Sequence, residues 1–209
     1  MRGSTEKHRN TPEAAGESPL ECARSRIRDY IRGSRVPEDP RHAENTLHWL
    51  LRLDPSADPA LQLAALAHDI DRASPEKVRR ERFDDYDAFK AAHAEHGARI
   101  LATLLEACGV APEITREACR LVRYHETGGD PRADLLRDAD SLSYFDVNLP
   151  LYHAREGDEE TLRRCIWGIR RLSPRGRALL ERMEQPDERL RRIVARALAV
   201  TAGARTNPA

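Results

Sequence analysis

The chain has 209 residues, enough for one sizeable domain whose core needs no disulfide or zinc staple. Lys+Arg and Asp+Glu both number 35, and a neutral balance argues against a protein that grips a long nucleic-acid backbone. No apolar run approaches the roughly 20 residues of a membrane helix, so no membrane partner is expected.

Met1 to Pro19 offers almost no large apolar side chain to offset its ordering entropy, and is predicted to be a disordered tail. From Leu20 onward apolar residues recur every three or four positions, as in Ile27, Tyr30 and Ile31, and no strand-length alternation interrupts them. The spacing predicts helices over 20–33, 39–53, 59–70, 85–108, 112–126, 132–146, 158–171, 174–184 and 187–201. Asp58-Pro59 reads as an N-cap followed by a proline in the first turn, and Ser74-Pro75 repeats that signal. The expectation is a single all-α domain over 20–202, a compact multi-helix bundle, with 203–209 frayed. The four cysteines lack any C-x-x-C pair, and no signal-peptide pattern precedes them, so they are expected as reduced thiols in a cytoplasmic protein.

Polar side chains on apolar helix faces point to chemistry, because burying them is costly unless they are satisfied. His42 lies on the apolar side of its helix. His68-Asp69 interrupts the apolar helix Ala64 to Ile70 just as it ends, and Asp138 and Asp140 sit inside the apolar repeat around Leu135, Leu136 and Leu142. Two imidazoles with carboxylates suit a divalent first-row metal, and ligands spread over several helices are how bundles build such sites. Positions two apart on a helix diverge by about 200°, so only one of Asp138 and Asp140 can face the same centre. His93 lies near the middle of the stripe defined by Phe89, Ile100 and Leu104, with His96 toward its edge.

The series His42, His68-Asp69 and Asp140 in an Ala-Asp-x-Leu context resembles the HD superfamily of metal-dependent phosphohydrolases over roughly residues 40–145. His93-Ala94-Glu95-His96-Gly97-Ala98 resembles the His-x-x-x-Gly-Ala helix of its dinuclear members. Tyr124-His125-Glu126 resembles the family's His-His-Glu segment, with Tyr124 in place of the first histidine. The resemblance implies an all-helical fold, with His42, His68, Asp69 and Asp140 on a first metal and His93, His125 and a bridging Asp69 on a second. One or two divalent ions (Mn, Ni, Co, Mg or Fe) are implied. The implied activity is hydrolysis of a small phosphorylated substrate, a nucleotide or other phosphate ester, through a metal-bound hydroxide.

Asp71, two residues past the ligand pair, is a candidate general base beside Asp69. Lys90, one turn before His93, and Arg72 are candidate phosphate contacts. In the arginine-rich C-terminal helices, taken as an extension of the metal core over 146–202, Arg170 or Arg171 beside Ile166 and Ile169 is a further one, with Arg170 preferred. Trp167 is a candidate stacking surface, and the Asn148 to His153 loop could close over the site. The same ligand order fits HD-fold diiron oxygenases that cleave C–C or C–P bonds, and a ligand-sensing module without turnover is the third alternative. The sequence specifies no oligomeric state.

Overall fold

The computed structural model describes residues 17–203 and is all-helical, with no strand among them. The tail expected over 1–19 lies outside the described residues up to 16. Its last residue, Pro19, instead begins α1 (Pro19–Ile31), where the cap Ser18 accepts the Glu21 amide and the Glu21 carboxylate returns to the Ser18 amide. The frayed end at 204–209 also lies outside them, whereas Gly203 still belongs to the last helix.

The central element is α3 (Pro59–Ala67), started by the Asp58 cap on the Leu61 amide. Ala60, Leu61 and every residue from Leu63 to Ala67 are buried, so this helix is apolar on nearly all sides and is enclosed by its neighbours. Around it pack α2 (Asp39–Leu53), α5 (Pro112–Tyr124) and α6 (Pro131–Ser143), while α4 (Tyr86–Ala107) lies against α5. Leu50, Leu66, Leu101, Leu121, Leu136 and Phe145 fill the common core. No helix of the described residues is long and apolar enough to cross a membrane.

Three local expectations are corrected. Ser74-Pro75 starts no helix: the Ser74 hydroxyl accepts the Glu76 amide in a turn, and 77–79 continue without regular structure. Asn148 to His153 is not a closing loop. A π-helical segment at Tyr144–Asn148 runs into α7 (Leu149–Arg171), which breaks only at Gly157, where φ is +76°. The helix expected from 158 is therefore preceded by two further helical turns.

The cysteines are also not all thiols. Cys22 of α1 and Cys108 at the end of α4 form a disulfide with Cα atoms 5.7 Å apart, while Cys119 and Cys165 are buried thiols. Packing α1 against α4 brings together two residues 86 apart, which no local spacing reveals. The cysteine-based support for a reducing, cytoplasmic setting is thereby removed.

The short helix α8 (Pro174–Leu180) and the longer α9 (Glu188–Gly203) complete the bundle, α9 on α7. The buried Asp138 fixes α8: its carboxylate accepts the Ser173 amide at 2.8 Å and the Ser173 hydroxyl, which itself caps the Gly176 amide. Asp138→Ala leaves these donors unpaired in the interior. It should lower stability by about 2 kcal/mol in urea unfolding while leaving metal content unchanged, an outcome that separates it from a metal ligand.

Candidate metal centre

The end of α3 sets the site. Helix geometry persists through His68, but Asp69 turns to φ −104° and ψ 17°, and a 3-10 turn follows over Ile70–Ala73. This change of direction at the point where the apolar helix runs out lets two adjacent side chains face one centre. His42 comes from α2, Asp140 from α6, His93 from α4 and His125 from the C-terminal end of α5.

The donor atoms converge. His42 Nε2 lies 3.1 Å from His68 Nε2 and 3.2 Å from Asp140 Oδ1, and His68 Nε2 lies 3.5 Å from both Asp69 Oδ2 and Asp140 Oδ1. Two donors each about 2.1 Å from one ion stand roughly 3.0 to 3.4 Å apart, so the spacing matches a shared cation. On the other side Asp69 Oδ1 lies 3.0 Å from His93 Nε2. Two donor groups result, His42–His68–Asp69 and Asp69–His93–His125, with Asp69 common to both.

Every imidazole is held with Nε2 inward. His68 Nδ1 donates to the Ala65 carbonyl at 2.9 Å and His125 Nδ1 to the Val122 carbonyl at 2.7 Å. His42 Nδ1 donates at 2.8 Å to the Ser143 hydroxyl, whose own proton goes to the His42 carbonyl. His93 Nδ1 donates at 2.8 Å to Asp71 Oδ2. With Nδ1 occupied as a donor, a neutral ring offers a lone pair at Nε2, and outer partners of this kind orient metal-binding histidines. Lone pairs at 3.1 Å, as between His42 and His68, repel unless a proton or a metal cation lies between them. The buried residues therefore fit a divalent ion.

The electrostatics agree. Burial pulls the His68 pKa down, but Asp69 and Asp140 outweigh it and lift it to about 9. His93 likewise overcomes burial through Asp69 and Asp71 and stands at about 9. Burial favours protonated Asp69, yet Arg72, His68 and His93 hold it well below the usual carboxylate range. Asp140 is held there against burial by His42, His68 and Arg171. Burial lowers the pKa of His125. The carboxylates thus create a strong demand for positive charge at the centre.

The centre opens into a cavity of about 770 Å³ lined by nine Lys or Arg side chains against six Asp or Glu. Arg72 lies 3.1 Å from Asp69 Oδ2, and Lys90 stands at the wall, 2.9 Å from Asp87. Several expected roles change. Arg170 is exposed and does not line the cavity, whereas its neighbour Arg171 does, 3.2 Å from Glu126 and 3.4 Å from Asp140. Adjacent helix positions diverge by about 100°, and the docking of α7 selects the second. Trp167 is not an open stacking face, because the guanidinium carbons of Arg164 and Arg171 lie 4.1 and 4.3 Å from its ring.

Asp71 presents no free oxygen to a water. One accepts from His93, and the other accepts from His96 Nδ1 and, at 3.2 Å, from the Val78 amide. The helix-edge His96 is accordingly part of the site's support. Glu126 also lines the cavity: Oε1 lies 3.8 Å from His125 Nε2, and the buried Oε2 faces the Arg171 guanidinium at 3.2 Å. Its position directly after His125 was the one available sequence signal.

Fold and site together define an all-helical protein with a candidate two-ion centre inside a cation-rich cavity. The chain belongs to the family described as a domain of unknown function, DUF4202, whose sequence model matches residues 24–194. That span includes every candidate ligand and Arg171. No curated protein and no solved structure matches the chain.

Proposed function

We propose that this chain is a metal-dependent phosphohydrolase of the HD type, acting on a small phosphorylated molecule. The supporting observation is the pairing of two inward-facing donor groups, bridged by Asp69, with a cavity in which cations outnumber anions although the whole chain is neutral. A divalent ion bound there supplies Lewis-acid charge for phosphoryl oxygens and makes water a stronger nucleophile at neutral pH.

The chain's own residues do the remainder. Arg72 and Arg171 flank the two carboxylates and present guanidinium forks to a phosphoryl group, with Lys90 adding a point charge. Glu126, held by Arg171 through Oε2, takes a proton from the attacking water on Oε1. Asp71 orients His93 rather than touching water, and His96 and the Val78 amide hold Asp71.

Turnover of a panel of phosphate esters with added Mn, Ni, Co or Mg tests the proposal. Lys90→Ala and Arg171→Ala should each raise KM roughly tenfold, the scale of one lost charge-assisted contact, with metal content retained. Iron in both sites with oxygen consumption and no ester hydrolysis would replace this function with the oxygenase alternative.

A further inference from the structure

The cavity contains more positive charge than one phosphoryl group at the metal centre uses. Lys77 and Arg79 line it but make no ion pair among the described residues, and Lys77 and Lys90 are two of only three lysines in the chain. Three of the six lining acids, Asp69, Asp71 and Asp140, are occupied with the histidine cluster.

Arg35, Arg80 and Arg164 also line the cavity without an ion pair among the described residues, but Lys77 and Arg79 lie together on the strap between the 3-10 turn and α4. Arg79 is extended, with φ −104° and ψ 127°, and the 77–79 stretch has no regular structure. In extended backbone, residues two apart project to the same side. Val78, between the cations, donates its amide to Asp71 Oδ1 at 3.2 Å, Asp71 accepts from His93 at 2.8 Å, and His93 faces Asp69 at 3.0 Å. The strap backbone is thus tied through one carboxylate to a candidate metal ligand, and Lys77 and Arg79 on either side of Val78 both line the cavity.

We propose that Lys77 and Arg79 form a second anion subsite, and that the substrate carries two phosphoryl groups in one small molecule. One would lie at the metal centre and the other under the strap. This inference rests on the phosphohydrolase function proposed above.

The test is calorimetric titration of the full chain, with magnesium present throughout, using orthophosphate and pyrophosphate as probes. Wild-type protein should bind pyrophosphate at least about tenfold more tightly, as expected from one or two added charge-assisted contacts. Lys77→Ala with Arg79→Ala should remove most of that preference and leave orthophosphate affinity within about twofold. Arg163→Ala with Arg192→Ala, which takes the same charge from exposed faces of α7 and α9, should change neither. Equal affinity for the two probes, an unaltered preference in the strap variant, or an equal loss in the control would each overturn the subsite. If orthophosphate binds and esters are hydrolysed while the preference is missing, only the subsite fails. If neither probe binds the metal-loaded chain, the proposed function fails with it.

Discussion

Asp69→Ala should cost the protein its metal at both positions. Asp69 is the residue shared by the two donor groups, with Oδ2 toward His68 and Oδ1 toward His93, so its removal takes a ligand from each. It also leaves Arg72 without its 3.1 Å partner and withdraws the negative charge that favours cations at His68 and His93. Affinity should fall by at least about 100-fold, since even outer-shell losses reach that range. Elemental analysis of wild-type and variant protein, both checked for helical content, reads the result. Hydrolysis should disappear with the metal. A thermal scan gives a second readout: an ion present at about 100 times its Kd adds about 2.7 kcal/mol, and raises the wild-type Tm by roughly 5 to 10 °C. The Tm of the variant should not respond. Full metal content and activity in Asp69→Ala would refute the ligand assignment.

Reduction of Cys22–Cys108 should produce the largest change in stability. The pair closes an 86-residue separation between α1 and the end of α4. Restricting a loop of that length in the unfolded chain contributes about 4 kcal/mol. Urea unfolding with and without reductant, and of Cys22→Ser paired with Cys108→Ser, should show this loss, and the double variant should no longer respond to reductant. Coincident curves in all conditions would mean that the two sulfurs do not pair. Because α1 lies outside the set of helices that carry ligands, metal content at low temperature should be the same in both redox states.

Much of the molecule could be read along the chain. Apolar periodicity located the helices from α1 to α9, and Asp58-Pro59 marked the start of α3, because these signals depend on neighbours within one or two turns. Polar groups on apolar faces marked His42, His68, Asp69 and His93, the family resemblance added His125 and favoured Asp140, and the fold brings all six together. That only one of Asp138 and Asp140 can face the centre follows from helix geometry, the Ala-Asp context of the resemblance favoured Asp140, and the two do face different partners, His42 and Ser173.

What local sequence determined, then, was the helical class and the residues able to hold an ion, since both depend on periodicity and side-chain chemistry. Tertiary packing decided the rest. The docking angle of α7 turned Arg171 rather than Arg170 inward, against Glu126, and the approach of α4 to the 3-10 turn engaged Asp71 with His93 and His96. The meeting of α1 with α4 paired two cysteines. Each of these depends on contacts between residues distant in the chain, whose relative orientation is set by how whole helices pack and not by the residues beside them.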